Sequence, residues 1–581
     1  MNDVRPLRRQ SAWPPAGLLL LGEGNMRVGA VLERELRIAP RSRALYIARA
    51  IYAGMLLLIV ATCWLVVTGT QAIETAGETG RFAATLLRIL APLQLVLAAL
   101  SAAAVSAVSV TLEKDRRTLE LLLVSSLTDA EIVLGKLAAS LLQVLLLLAS
   151  AIPVFALVSL FGGVTNGQLA RLFAVTAAAA IASASLANAI AFWKETTFQT
   201  IAVTLFGLAL WTAVGEGVAT VWGATAAAGV SPARAVFAAI EPAGTGGSLV
   251  FLAVCLGVVV ASGLVATWRL RPWNLVGGSR YESVRAETAA IAATRTVWSH
   301  PVLWKEICTR AHGKAIVFVR VAWLALFAAA IWGIVQQSGQ QRPDRLALAV
   351  AVLPMTLASL VSVTALAVTS VTTERDRGSL DLLLVSDLEP AEFVWGKLAG
   401  VFFVAREMVL LPLAACGVLV AFGQASLENG IYLALGLSTL LFFAAVLGLH
   451  AGLTHVSSRQ AIVVALGTVV FLFVGVATVM RIMVSFGGNF ELQLAPFLAV
   501  VVGGAVGLYA ALSTRNPSPA IGWASALLPS LTFVAITGFL QGSTLQVLLV
   551  TIVAYGFATT AMLVPAIGAF DLLTGRTTGT L

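Results

Sequence analysis

Long runs of apolar residues, separated by short polar stretches, are the dominant pattern along the chain. A run of about 18 or more apolar residues predicts a helix that spans a bilayer. Fourteen runs meet this test, and Pro517, Pro519 and Pro529 interrupt the last three, so that 12 spans remain an alternative. The runs cover residues 45–68, 83–112, 137–161, 169–192, 197–222, 249–267, 316–335, 346–372, 398–422, 430–454, 461–484, 495–512, 521–541 and 545–567.

The composition agrees with this pattern and excludes a soluble protein. Of the 581 residues, 59% are hydrophobic and only 11% are charged, whereas an average soluble protein has about 25% charged residues. So few charges cannot cover a water-exposed surface. The sequence therefore predicts an integral membrane protein with an all-α, polytopic fold.

The basic residues predict the orientation of the chain in the membrane. If the N-terminus lies in the cytosol, the loops on that side hold 27 of the 37 Lys and Arg residues. The loops on the other side hold 4, and 6 lie within spans. Cytosolic loops carry an excess of Lys and Arg, so both termini are expected in the cytosol. The net charge of +9 is then a topology signal, with lipids as neighbours and no nucleic acid as partner.

Two cytosolic loops have nearly the same sequence. VTLEKDRRTLELLLVSSLTDAEIVLGKL at 110–137 and VTTERDRGSLDLLLVSDLEPAEFVWGKL at 371–398 share 18 of 28 positions. A second match, of 31–49 with 302–320, precedes each loop. Because six spans separate the copies, both have the same orientation and form parallel repeats. We predict four regions: a cytosolic arm at 1–26, a first transmembrane module at 27–270, a cytosolic linker at 271–300 and a second transmembrane module with extra C-terminal helices at 301–581.

The sequence of each repeated loop predicts a short amphipathic helix followed by a turn. In the first copy, charges from Glu113 onwards lead into an apolar stretch around Leu122. A turn at Ser125-Ser126 follows, and the helical pattern restarts at Glu131. The loop is longer than two adjacent helices need. Two copies that kept these residues while the rest diverged indicate a docking surface for a cytosolic partner.

The residues of this loop resemble those of the permease subunits of type-2 ATP-binding-cassette (ABC) exporters. That family's pattern is E-x-x-x-G-T-x-E-x-L-L-x-S-P-L-S-x-x-E-I-x-x-G-K. Glu113 and Glu374 stand at its first position, and Gly135-Lys136 and Gly396-Lys397 stand at its end. The chain departs from the pattern where Arg117 replaces the glycine, where both copies lack the proline, and in two extra C-terminal spans. The resemblance covers about 27–270 and 300–490.

The resemblance implies that the loop is a coupling helix, which docks on an ATPase subunit. It implies two cytosolic ABC ATPase subunits as partners of one chain, which acts as a pseudo-dimer in the bacterial inner membrane. The residues expected to couple to the ATPases are Glu113, Arg116, Glu120, Leu122, Glu131, Glu374, Arg377, Asp381, Leu383 and Glu392. The function implied is ATP-driven export across the membrane.

No motif for catalysis or for nucleotide binding accompanies this pattern. Neither Gly-Lys pair of the repeated loops is followed by Ser or Thr, so neither belongs to a phosphate-binding P-loop. ATP and Mg²⁺ are therefore expected on the separate ATPase. The four Cys and four His residues form no metal-binding pattern. We expect no metal, no cofactor and no catalytic residue in this chain.

Two other classes are weighed against this interpretation. A secondary transporter of the major-facilitator type also has two parallel six-helix halves, and Asp115-Arg116 superficially resembles its loop motif. However, that family's loop is much shorter and has a glycine where Thr111 stands. An intramembrane enzyme is disfavoured because His450 and His455 have poor spacing for one helical face.

One charged pair lies well inside a predicted span. Arg406 and Glu407 follow the start of the span at 398–422 by about nine residues, or roughly 13 Å. A charge at that depth costs about 2.5–3.5 kcal/mol. We predict an ion pair with another helix, with a role in the substrate pathway as the alternative. Half one has Leu145-Leu146 at the equivalent positions.

Overall fold

The computed structural model describes residues 43–70, 75–116, 118–194, 197–242, 245–274, 298–308, 316–338, 345–376, 378–386, 388–486, 490–515 and 518–571. Within these ranges the chain is helical and has no β-strand. The predicted arm at 1–26 and most of the predicted linker at 271–300 lie outside the described residues.

The first module contains nine helices in the described residues. They are α1 (Arg43–Thr70), α2 (Ala76–Asp115), α3 (Thr118–Val124), α4 (Asp129–Leu160), α5 (Asn166–Trp193), α6 (Thr197–Trp222), α7 (Ala224–Ala228), α8 (Pro232–Ile240) and α9 (Thr245–Asn274). Capping boxes at Thr128 and Thr165 begin α4 and α5. Such boxes satisfy backbone N–H groups that a helix start leaves without partners.

The second module repeats this order and extends it. It comprises α10 (Pro301–Cys308), α11 (Ile316–Ser338), α12 (Arg345–Asp376), α13 (Ser379–Val385), α14 (Pro390–Val404), α15 (Arg406–Ala421), α16 (Leu427–Thr454), α17 (Ser458–Val470), α18 (Val476–Phe486), α19 (Phe490–Leu512), α20 (Pro519–Gln541) and α21 (Thr544–Gly568). A π-helical segment, Phe471–Gly475, joins α17 to α18.

All fourteen predicted segments fall on helices. Nine helices of the described residues are long and apolar enough to cross a membrane, and the bent pair α14–α15 would make a tenth. Four shorter apolar stretches lie in the remaining predicted segments, and their crossing of the membrane stays a prediction: Leu45–Ala61, Thr200–Thr212, Trp323–Gln337 and Val501–Leu512.

One predicted span, 398–422, is broken in the structure. Its helices α14 and α15 meet at Ala405 with a bend of 64°. The sequence pattern predicted one continuous helix because no proline or glycine stands at the break. In half one, the equivalent residues continue without a break through α4.

The two modules share a hydrophobic core. Helix α6 packs on α11 and α12, and α1 packs on α19. The core of module two continues into module one through the small residues Ala103, Ala107 and Ala202. The C-terminal helix α21 also belongs to this core and packs against α16 and α20. The loops with α3 and α13 lie at the same end of their respective modules, which we call the loop side.

Candidate functional site

An ion pair between two neighbouring helices stands behind each repeated loop. Glu113, in the last turn of α2, pairs with Lys136 of α4. The equivalent pair in half two joins Glu374 of α12 to Lys397 of α14, with 2.7 Å between Oε1 and Nζ. Both lysine side chains are buried. A buried lysine needs a charged partner, so these glutamates face the interior of the protein.

The pair in half two belongs to a larger network. Lys305 of α10 also contacts Glu374 Oε1 at 2.7 Å, and Glu306 of α10 contacts Lys397 Nζ at 2.7 Å. Helix α10 comes this close because Gly396 and Gly400 have no side chain. The matching Arg34 and Glu35 of half one lie outside the described residues.

A basic residue at the end of α2 and of α12 binds the end of a neighbouring helix. Lys114 donates to the carbonyl oxygens of Phe192 and Lys194, at 2.5 and 3.0 Å, at the end of α5. Its counterpart Arg375 donates to the carbonyls of Gly452, His455 and Val456 at the end of α16. The last carbonyls of a helix lack partners within it, so these cations tie the loop to that helix.

The next acidic residue of each copy, Asp115 or Asp376, accepts a hydrogen bond from a helix further along its module. Thr197 donates to Asp115 Oδ2 at 3.3 Å, and Ser458 donates to Asp376 Oδ2 at 2.5 Å. Each donor is the first residue of the following helix, α6 or α17. Arg116 of half one reaches Asp376 of half two, with 3.9 Å between Nη2 and Oδ1. The loop-side ends of α2 and α12 are therefore in contact.

The repeated helices α3 and α13 each expose two apolar residues at equivalent positions. Leu121 and Val124 of α3 are 72% and 83% exposed. Leu382 and Val385 of α13 are 76% and 88% exposed. Beneath them, Leu119, Leu123 and Leu380 are buried and hold the helices to the bundle. Each loop thus presents a two-residue apolar knob, namely Leu121/Val124 or Leu382/Val385.

The leucines that the sequence singled out lie on the inner side of these helices. Leu122 is half-buried against the cluster beneath α3, and Leu383 packs against the core of module two. On a helix, neighbouring residues differ by about 100° in direction. The pattern of the stretch did not reveal which leucine faces outward, because its residues from 121 to 124 are all apolar.

The other residues predicted to contact the ATPase have different surroundings. Glu120 is exposed on α3. Glu131 caps α4, because its carboxylate accepts from Thr128 N at 2.8 Å and from Thr128 Oγ1 at 2.9 Å. Glu392 lies 4.0 Å from His300 Nδ1. Arg377 and the side chain of Asp381 lie outside the described residues.

Sequence reasoning missed the roles of Lys136 and Lys397. Both stand in the Gly-Lys pair that is identical in the two copies, and that identity was the available signal. The apolar pattern placed the start of the third span at 137, which left Lys136 in the cytosolic loop. The structure begins α4 at Asp129, so the lysine lies within the helix.

Lys194 is a further buried cation on the loop side, just after the last residue of α5. Its ammonium group lies 3.3 Å from the centre of the Trp193 ring. Burial lowers the pKa of this lysine to about 8, because the neutral form is less costly away from water. No group of three or more His, Cys, Asp or Glu residues suited to a metal occurs in the described part of the chain.

The pair Arg406–Glu407, which the sequence predicts inside a span, lies at the break between α14 and α15. Glu407 Oε1 is 3.0 Å from Arg406 Nε and 2.9 Å from Arg320 Nε of α11. All three side chains are partly exposed at the surface of the bundle. The carboxylate is thus shared by two arginines, one of them from another helix.

Comparison with models of protein families gave no match, and comparison with curated proteins gave none either. The class of the protein therefore follows from the fold. Its helices are long, apolar and numerous, and no strand accompanies them in the described residues. The chain is an all-α polytopic membrane protein.

Proposed function

We propose that this chain is the membrane-spanning permease subunit of a type-2 ABC exporter, energised by two separate cytosolic ATPase subunits. The observation that carries the proposal is the pair of knobs, Leu121/Val124 and Leu382/Val385. Each stands at an equivalent position of the duplicated unit, and each is highly exposed. Apolar residues that are exposed at equivalent positions of both copies support a surface that a protein partner covers. Two equivalent knobs fit two copies of one partner.

The contacts behind each knob support a role in transmitting movement. Helix α3 is anchored on a buried cluster, and the adjacent end of α2 is linked to α4 through Lys136 and to α5 through Lys114. The end of α12, next to α13, has the equivalent links to α14 through Lys397 and to α16 through Arg375. A displacement of either knob therefore reaches several spans together. Substrate would cross where the modules meet, between α2 and α6 of one and α11 and α12 of the other.

ATP chemistry in this proposal belongs to the partner. The ATPases bind ATP and Mg²⁺, hydrolyse ATP and move relative to each other. This chain contributes the apolar knobs, the links to the spans and the pathway itself.

The proposal is tested with the double variant Leu121→Asp, Leu382→Asp. Each change places a carboxylate in an interface that excludes water, at a cost of several kcal/mol. Since about 1.4 kcal/mol changes an affinity tenfold, we expect at least tenfold less ATPase to co-purify with the variant. The probe is the ABC ATPase that this proposal expects to be encoded beside the gene, co-expressed and quantified per permease chain.

Leu160→Asp is the matched control. Leu160 is 85% exposed and ends α4 at the opposite end of the bundle from α3. This variant should retain the ATPase. Size-exclusion profiles and melting temperatures in detergent establish that both variants fold. A folded double variant that keeps its ATPase contradicts the docking role of the knobs and favours the secondary transporter.

A further inference from the structure

A cluster of two arginines and one glutamate lies at the only sharp break among the spans found in the described residues. Arg406 and Glu407 begin α15, and Arg320 comes from the neighbouring α11. Along the chain, Arg406 lies nine residues beyond the buried Lys397, or about 13 Å towards the opposite side. With α14 and α15 taken as one span, the cluster lies within the loop-side half of the bilayer.

The two arginines have more N–H donors than the carboxylate of Glu407 binds. Both guanidinium groups approach Glu407 Oε1 through Nε. Within the described part of the chain, no protein acceptor binds the Nη atoms of either residue. The three groups carry one positive charge in excess. Unpaired donors and excess charge are costly inside a bilayer, so an anion with several acceptor oxygens would complete this cluster.

The surface around the cluster suits a lipid. The guanidinium of Arg406 also lies 5.4 Å from the centre of the Phe403 ring, and Phe403 is itself exposed. Leu410, one turn further along α15, is exposed as well. The guanidinium groups would bind the phosphate of a lipid, and the exposed apolar side chains beside them would contact its acyl chains. Arginine binds phosphate through two parallel N–H groups.

We propose that Arg320 and Arg406 bind the phosphate of an anionic phospholipid from the loop-side leaflet. Glu407 holds the two guanidinium groups in place and limits their charge. Half one has no such site, because its α4 continues unbroken through Leu145 and Leu146. The site therefore belongs to module two alone. The proposal is independent of ATPase docking, since it uses none of the residues of the knobs.

The test measures lipid binding by native mass spectrometry of the full chain after titration with phosphatidylglycerol or phosphatidylcholine. We expect wild-type protein to retain phosphatidylglycerol in preference to phosphatidylcholine. Arg406→Gln and Arg320→Gln should each lower phosphatidylglycerol retention at least threefold. Glu407→Gln should raise it at least twofold, because both arginines then lose their competing carboxylate.

Arg481→Gln is the matched control, because Arg481 is an exposed arginine on another apolar helix, α18. It should leave retention unchanged, and melting temperatures in detergent identify variants that fail to fold. Arg406→Lys preserves the charge without the planar fork and should fall between wild type and Arg406→Gln. If Glu407→Gln lowers retention as Arg406→Gln does, or no variant changes it, the cluster is a structural ion pair and the proposal is wrong.

A second arm separates the lipid from free phosphate. Inorganic phosphate is titrated against the detergent-solubilised protein with and without phosphatidylglycerol. Under the proposal, phosphate at millimolar concentration does not displace the lipid, because the acyl chains contribute to binding. Displacement of the lipid by phosphate at low millimolar concentration would overturn the assignment to a phospholipid.

Discussion

At the residue scale, the two Glu–Lys pairs explain why the same charges occur in both copies of the loop. Glu113 and Lys136 neutralise each other between α2 and α4, as Glu374 and Lys397 do between α12 and α14. Removing one partner of a buried pair costs about 3–5 kcal/mol, because the remaining charge is left in an apolar setting. Retention of both residues in both copies is thus explained by the packing of the module itself.

Lys194 gives a pH-dependent prediction. Its pKa is about 8 in the folded protein, against about 10.4 in an unfolded chain. Between these values the unfolded chain binds more protons, so the stability that this group controls rises with pH and is lowest below pH 8. Lys194→Met removes the cost of keeping this buried lysine charged, which is on the order of 1 kcal/mol after allowance for screening by solvent.

The measurement is the melting temperature in detergent from pH 7 to pH 10. As the pH rises through 8, the melting temperature of the wild type should increase relative to that of Lys194→Met. Loss of the contact with Trp193 changes the melting temperature of the variant by the same amount at every pH. The readout is therefore how the difference in melting temperature between the two proteins depends on pH. Parallel curves would show that Lys194 keeps an ordinary pKa.

The repeat allowed part of the candidate site to be predicted from the sequence. It identified the positions of Glu113 and Glu374 and the turn after each short helix. It could not give the direction of single leucines such as Leu122, because four apolar residues in succession carry no periodicity. Nor could it show that Lys136 faces Glu113, since this contact depends on how α2 packs against α4.

At the element scale, α10 packs closely on α14 because α14 has glycines where the two helices meet. A Cβ atom at Gly400 would lie 2.7 Å from Cβ of Glu306. Small residues four positions apart, here Gly396 and Gly400, let helices approach closely. This approach brings Lys305 and Glu306 to the Glu374–Lys397 pair.

Gly400→Ala should therefore destabilise the protein. The added methyl group forces α10 away from α14 and weakens the ion network, at a cost of about 1–3 kcal/mol. The measurement is the melting temperature in detergent. Gly417→Ala is the control, because Gly417 lies in the adjacent α15 and no neighbouring atom lies within 4 Å of the position that an added Cβ would take. Equal melting temperatures for the two variants would contradict the close packing of α10.

The helices themselves were largely predictable from the sequence, because each apolar run is long and bounded by polar residues. The break at Ala405 was not predictable in this way. It coincides with the contact of Glu407 with Arg320 of α11, which is a tertiary interaction. Short helices such as α8 also escaped the pattern, since a span-length test does not detect nine residues.

At the scale of the whole molecule, two modules related by duplication form one body. The small residues Ala103, Ala107 and Ala202 join the core of module two, and Arg116 meets Asp376 on the loop side. The two knobs therefore belong to a single framework. Under the proposed function, one chain supplies both docking surfaces that a dimer of single-module permeases would supply.

Docking of two ATPase subunits on one chain through equivalent knobs can be measured by native mass spectrometry of the purified complex. We expect one permease chain with two ATPase subunits. We also expect Leu121→Asp alone to reduce the complex to one permease chain with one ATPase, because the knob Leu382/Val385 remains. Two permease chains in each complex, or an unchanged stoichiometry in that variant, would show that the two knobs are not the two docking surfaces of one chain.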